Sequence, residues 1–381
     1  MHEGTLINKR VVFLFPSLQL GGAERQGLSF ARYLKRHTGA YVEIWSLNDG
    51  DRVAELCQAE GIPVRVIAFQ MWTSRFELLR HLLRFAMVLR RSRVDVLLPY
   101  VMQPNLICGA TWRLGGVQHC VWQQRDEGRN RGPRLLERLA LWQIRCFVAN
   151  STPGVDFLRD ELGVPASRIH FIRNGVDIPR PIADSREWRS RLEVNHSTFL
   201  ACMVANITTA KDHDTLLRAW RLVLDYTLER GESIVLLLAG RHGDAEFSAK
   251  ALAYDLDLGR SVRFLGAVDD VSGLLEACDL CVFSSRTEGC PNGVLEAMSC
   301  GKPVVATDIP GIRDAVGDDG LEFLSPPGDV PAMARLILQQ MNQPESRVKQ
   351  GVRNRERTQT EFSPQRMFLE TFELLANGGL Q

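Results

Sequence analysis

The chain is expected to be an α/β protein with two doubly wound parallel sheets, and three features of its sequence point there. Short apolar runs of strand length alternate with segments of helical periodicity from Val11 to Arg173. The same alternation starts again after Asn174-Gly175-Val176-Asp177-Ile178-Pro179-Arg180-Pro181, a stretch with the Gly and Pro content of a linker. At 381 residues the chain has the length of two ordinary domains. Alternation of this kind builds a parallel sheet wound on both faces, with ligands beyond the carboxyl ends of the strands. No repeat of short period is present, which excludes a solenoid.

The elements follow in order. Val11 to Ser17 reads as a buried strand, and Leu20-Gly21-Gly22-Ala23-Glu24-Arg25 as a glycine turn into a helix running towards His37. Strands at Tyr41–Leu47 and Val64–Phe69 enclose a helix at Arg52–Glu60. A basic helix over 75–91 precedes a strand at Asp95–Tyr100, a helix at Asn105–Leu114 and a strand at His119–Gln124. The half closes with a helix at Arg134–Ile144, a strand at Cys146–Ala149, a helix at Gly154–Leu162 and a strand at Ile169–Arg173. The second half places strands near Phe199–Ala205, Ile234–Ala239, Val262–Leu265, Leu280–Phe283, Pro303–Thr307 and Glu322–Leu324. Its helices are Thr215–Glu229, Ala245–Leu256, Val271–Ala277 and Val330–Met341, with a last one at Pro364–Leu375 after a very polar stretch, 344–360. The domains expected are 1–177 and 178–363, the helix 364–376 packing back on the first.

Composition narrows the class. Hydrophobic content of 45% with 24% charged residues is that of a soluble globular protein. The longest apolar runs, such as Ile234 to Gly240, are strand-sized and too short to cross a bilayer. MHEGTLINKR has no apolar signal-peptide core. Nine cysteines, an odd number scattered through strands and helices, suit reduced thiols and a cytoplasmic setting. Cys278-x-x-Cys281 stands alone, with Cys281 inside an apolar strand, so it reads as core rather than as a metal or redox site. Residues 1–180 hold 25 Lys/Arg against 16 Asp/Glu and the remainder 21 against 29, so an anionic surface is expected to face the first half.

The stretch Ser284-Ser285-Arg286-Thr287-Glu288-Gly289-Cys290-Pro291-Asn292-Gly293-Val294-Leu295-Glu296-Ala297-Met298 carries the chemistry. It leads from a strand through a Gly/Pro/Asn turn into a helix that should stop at Gly301. A helix start of this kind attracts phosphate, since its first amides lack partners and the helix dipole is positive there. Glu288 on the loop and Glu296 a turn into the helix can meet one ligand from different heights. Carboxylates beside a phosphate suit neutral hydroxyls, so the stretch reads as a sugar-nucleotide site.

With these parts in order, the sequence resembles a family 4 retaining glycosyltransferase of the GT-B fold, over nearly the whole chain. Glu288 and Glu296 match that family's E-x7-E signature, Lys211-Asp212-His213 its diphosphate lysine, Asn174–Asp177 its interdomain loop, and Gly21-Gly22 its first-domain glycine turn. The resemblance implies two Rossmann-like domains facing across a cleft that closes about hinges near 174–181 and 360–364. It implies a nucleotide-diphosphate sugar donor, UDP-linked by the family's habit, no cofactor and no metal. Glu288 would hold the donor sugar and Glu296 the ribose. Lys211 and the backbone from Gly289 through Asn292, Gly293, Val294 and Leu295 would take the pyrophosphate, with the base against Leu265 and Gly266 beside Gly240 and Arg241. Three departures stand out. The family's usual arginine before the lysine is Asn206 here, so Arg241, Arg173 or Arg125 is expected to compensate. Arg173 stands where proline is commoner. The first-domain histidine near the reacting carbon has no match, and Arg125 occupies that loop.

Plainer readings compete at each position. Glu296 reads also as a solvated helix residue, Lys211 as a surface charge, Gly21 and Gly22 as a tight turn only, and His213 as a residue packed on the helix start. Asp255-Leu256-Asp257 looks like a metal motif but ends a helix, where residues two apart face different ways. The basic helix is either a core helix with a solvated basic face or a face resting on anionic lipid on the inner side of a membrane, suiting a lipid-linked acceptor in surface-polysaccharide assembly. Nucleic acid is disfavoured, since no binding motif accompanies the charge. A nucleotide-sugar epimerase, a phosphorylase with pyridoxal phosphate, and a non-catalytic carbohydrate- or lipid-binding partner are the alternatives to a hexosyl or N-acetylhexosaminyl transferase.

Overall fold

The computed structural model describes residues 6–128 and 131–376; the first five residues of MHEGTLINKR therefore lie outside the described residues. It divides into unit 1, Met1–Gly175 with Gln365–Gln381, and unit 2, Val176–Pro364. These boundaries differ by one or two residues from the 177/178 and 363/364 expected.

Unit 1 holds seven strands, β1 (Arg10–Phe15), β2 (Tyr41–Ser46), β3 (Val64–Val66), β4 (Val96–Pro99), β5 (His119–Gln124), β6 (Cys146–Ala149) and β7 (Ile169–Phe171). They lie parallel in the order β3-β2-β1-β4-β5-β6-β7. Unit 2 holds β8 (Phe199–Val204), β9 (Ile234–Ala239), β10 (Val262–Gly266), β11 (Leu280–Phe283), β12 (Val304–Thr307) and β13 (Leu324–Ser325), parallel in the order β10-β9-β8-β11-β12-β13. The strands read as unbroken apolar runs because helices cover both faces; every residue of β9 is buried. Alternate residues feed opposite cores, Leu236 and Leu238 one way and Val235 and Leu237 the other. Both units are thus Rossmann-like, as the α/β reading expected.

In each sheet the first strand is central, and the winding reverses beside it, between β1 and β4 in unit 1 and between β8 and β11 in unit 2. At such a reversal neighbouring loops leave in opposite directions and open a crevice at the carboxyl edge.

Three stretches are helices that the sequence reading did not place. The polar stretch is a helix, Pro344–Glu361, whose buried stripe is Gln350, Gly351, Asn354 and Thr358. Those amides bond backbone rather than pack apolar carbon: Gln350 donates to the Val304 carbonyl and Asn354 to that of Lys302, both at 2.8 Å. Short helices at Ser185–Arg191 and Pro310–Val316 carry no long periodicity to read. The basic helix Arg75–Arg91 buries only Phe85, Ala86 and Leu89, leaving Phe76, Leu79 and Leu83 exposed rather than packed on the sheet. The last helix, Pro364–Ala376, sends Met367, Phe372 and Leu375 into the unit 1 core, and Phe368 stacks on Tyr33 with ring centres 4.8 Å apart.

Candidate functional site

The crevice between β8 and β11 gathers the chemistry of unit 2. After β8 the chain makes one tight turn, Thr209–Lys211, and Asp212, with φ of 48°, swings it into the helix His213–Leu228. Aspartate tolerates that left-handed backbone better than most side chains. Its carboxylate is spent on structure: Oδ2 accepts from Thr215 Oγ1 at 2.7 Å and Oδ1 from Arg286 at 3.0 Å. After β11 the loop returns over the same turn. Arg286 N donates to the Ala210 carbonyl at 2.9 Å and Ser284 Oγ to that of Lys211 at 3.0 Å. Two segments distant in sequence are thereby locked side by side.

The lock brings Lys211 and Glu288 together. The Lys211 ammonium donates to Glu288 Oε1, which also accepts from Ser285 Oγ at 2.7 Å. The Glu288 side chain is only 9% exposed. Its Oε2 takes no protein donor among the described residues. An ammonium has three donors, so Lys211 keeps two for another acceptor. A cation, a half-open carboxylate and a helix start therefore share one crevice.

That helix, Asn292–Ser299, begins beside the end of β8. Gly293 permits the approach: a Cβ there would lie 2.4 Å from the Val204 carbonyl oxygen. The helix stops at Gly301, with φ of 69°, whose N–H bonds the Met298 carbonyl at 2.9 Å. Val294, Leu295 and Glu296 are all buried, and Glu296 is not a solvated residue. Under the loop, Gly311 of the helix Pro310–Val316 carries the Glu288 and Gly289 carbonyls, each 2.3 Å from where a Cβ would stand.

The other residues expected on the donor side brace neighbouring strand ends. Asn206 Oδ1 accepts from the Arg241 backbone N–H at 3.1 Å, and Gly240 donates to the Gly266 carbonyl at 2.8 Å. A Cβ on Gly240 would stand 1.9 Å from the Ala205 carbonyl oxygen. Leu265 lies in β10, packed against the smaller core of unit 2. Of the three arginines expected to offset Asn206, only Arg241 belongs to unit 2.

Arg125 and Gly21-Gly22 lie in unit 1. Gly21 caps the helix Gly22–His37, its N–H held by Glu24 Oε2 at 3.2 Å. Arg125 follows β5, donates to Asn174 Oδ1 at 3.2 Å and Gln123 Oε1 at 2.5 Å, and lies over the Tyr100 ring at 5.0 Å. Neutral amides and a ring hold it, with no carboxylate paired to it among the described residues.

His213 is 2% exposed and neither ring nitrogen has a hydrogen-bond partner among the described residues. Burial, and then the Lys211 charge, lower its pKa from 6.5 to about 4 against the opposing pull of Asp212. Its folded pKa lies below the unfolded value, so stability is full above pH 6.5 and is lost as the pH falls towards 4. Urea titrations across that window should show a loss of about 3 kcal/mol that His213→Leu removes. An unchanged pH slope in that variant would place the acid sensitivity elsewhere.

Ser285, Asp212, Arg286 and Gly311 are site residues that sequence reading did not assign. Ser285 and Arg286 sit inside the singled-out stretch, and Pro310-Gly311 was visible only as a turn signal. The Cys278 and Cys281 thiols are buried, Cys278 donating to the Leu274 carbonyl at 3.2 Å, and burial pushes Cys281 up. Asp255 ends its helix as expected, and no group of His, Cys, Asp or Glu among the described residues is arranged to hold a metal ion.

Comparison with known proteins gives the family and the fold. Residues 20–180 match the family model for glycosyltransferase family 4, and residues 184–357 the one for glycosyl transferases group 1. A D-inositol 3-phosphate glycosyltransferase of Catenulispora acidiphila is 30% identical over 178 residues, covering 45% of this chain and 42% of its own. The UDP-Gal:alpha-D-GlcNAc-diphosphoundecaprenol alpha-1,3-galactosyltransferase of Escherichia coli is 22% identical over 272 residues, 68% of this chain and 70% of its own. The chain spans about half the length of the first curated relatives it matches. The crystal structure of Anabaena Alr3699/HepE with UDP and glucose superposes with a TM-score of 0.83 at 21% identity, covering 97% of this chain and 99% of that one, a likeness of fold.

Proposed function

Because the chain belongs to the family 4, group 1 glycosyltransferases, whose models take up residues 20–180 and 184–357, we propose that it transfers a hexosyl or N-acetylhexosaminyl group from a UDP-sugar to a lipid-linked carbohydrate. The anomeric configuration is retained and no metal is required. The observation that carries this reading is the pairing of Lys211 with Glu288 at the strand reversal, from positions 77 residues apart. In the proposed reaction the Lys211 ammonium and the first amides of the helix Asn292–Ser299 neutralise the diphosphate as it departs. A lysine suits this task as a compact point charge. Glu288 Oε2 holds a sugar hydroxyl and Glu296 the ribose, with the base against Leu265 and Gly266. The departing phosphate takes the acceptor proton. The Escherichia coli relative, named for an acceptor linked to diphosphoundecaprenol, supports a lipid-linked acceptor.

A panel of UDP-, GDP- and ADP-sugars, read by calorimetry and by slow donor hydrolysis, tests the donor. One base should saturate the protein, and Lys211→Ala should weaken its diphosphate roughly 10- to 100-fold while sparing the nucleoside. Equal diphosphate affinity in the variant would sink the assignment. Conversion of the donor into an isomeric nucleotide sugar, with no acceptor present, would make the protein an epimerase.

A further inference from the structure

We infer that the outer face of two unit 1 helices, Arg75–Arg91 and Arg134–Gln143, is an interfacial surface that seats on an anionic lipid bilayer, its apolar side chains entering the acyl boundary and its arginines meeting the headgroups.

Both helices cover the same side of the sheet. Phe85 and Leu89 of the first and Leu136 and Ala140 of the second share one core with Leu14, Leu97 and Trp122. Between them the helix Met102–Thr111 is buried along most of its length. Glycines close the layer: a Cβ on Gly109 would stand 2.7 Å from Ala140 Cβ, and one on Gly115 2.7 Å from Leu89 Cβ.

A helix at the surface of a soluble domain normally turns one apolar stripe to the core and shows polar residues outside. These two show a second apolar stripe. Phe76, Leu79, Leu83 and Met87 recur at helical spacing and are 78, 54, 47 and 52% exposed, with Trp72 just before them at 73%. On the other helix Leu135, Leu139 and Trp142 are 69, 41 and 77% exposed. Exposed apolar surface of this kind marks an interaction site.

Charge decides the occupant. Arg75, Arg80, Arg84, Arg90 and Arg91 flank the first stripe, and Arg134 and Arg138 the second, all exposed. None of these side chains has a bonding partner among the described residues. The acids are accounted for: Glu77 closes its own helix's capping box, and Glu137 is buried against Arg131 at 2.6 Å. A second copy packed here by two-fold symmetry would set the same cations against one another. An anionic lipid sheet instead offers phosphates to the arginines and an interface to Trp72 and Trp142. No helix among the described residues is long and apolar enough to cross a membrane, so the contact lies on the surface.

Sedimentation with phosphatidylcholine vesicles, with and without phosphatidylglycerol, reads this without any nucleotide, so its failure leaves the donor reading untouched. The protein should be retained by the anionic vesicles and released by salt. Arg80→Gln with Arg84→Gln and Arg138→Gln should lower partitioning roughly a hundredfold. Phe76→Ser with Leu83→Ser and Trp142→Ser should abolish it, both triple variants melting and binding nucleotide as the parent does. The inference is overturned if the parent is not retained, or if both variants are retained equally well. It is also overturned if the parent forms a dimer that the apolar variant dissolves and that vesicles do not compete away.

Discussion

Glu288→Gln should lower turnover about a thousandfold while leaving the protein folded. The substitution keeps the shape of the side chain and removes its charge. Ser285 Oγ can still donate to the amide oxygen, so the loop after β11 keeps that tie, and the Arg286 bonds to Ala210 and Asp212 are untouched. What disappears is the negative charge beside Lys211. The effect should fall on kcat more than on KM, because the carboxylate is worth most when positive charge develops on the sugar. Lys211 retains access to water at 24% exposure, so the broken pair should cost no more than about 1–3 kcal/mol. Single-turnover kinetics with the donor identified by the panel, alongside a melting curve, make the measurement. A variant that melts normally and turns over within tenfold of the parent would remove Glu288 from the chemistry.

Gly311→Ala should damage both the fold and turnover. Its Cβ would stand 2.3 Å from two carbonyl oxygens, those of Glu288 and Gly289. Neither is the end of a flexible side chain, so backbone has to move. Overpacking of this kind costs about 1–3 kcal/mol. The loop that moves is the one that carries Glu288, and a shift near 1 Å can cost roughly a hundredfold in rate. The variant should therefore lose both stability and turnover, the second by more than unfolding explains. Gly128→Ala provides no such link, since the site loop does not rest on it. Should Gly311→Ala lose stability alone, the loop position would not be set from beneath.

Glu288 and the glycine turn stood out because each follows a strand that the apolar pattern locates, whereas Lys211 was singled out by the family resemblance. Their partners did not stand out. Ser285 and Arg286 were in view, yet nothing local says that one bonds Glu288 and the other reaches Asp212. The helix Pro344–Glu361 escaped because its buried stripe is polar, with Gln350 and Asn354 satisfying backbone carbonyls. The outward stripe of Arg75–Arg91 stayed open between two readings in the sequence for the opposite reason. Apolar residues at helical spacing look the same whether they meet a sheet or meet solvent.

The sequence by itself determined the alternation of strands and helices, and with it two parallel sheets whose carboxyl edges are the expected place for a ligand. It also determined which residues could serve there. Only the tertiary structure decided that Lys211 and Glu288 meet across β8 and β11, that Gly311 supports the loop, and which apolar stripe stays uncovered. The physical reason is range. Periodicity records whether a residue has a buried side in its own element, whereas a site is a set of contacts between elements far apart in the chain, chosen by how the sheet orders its strands.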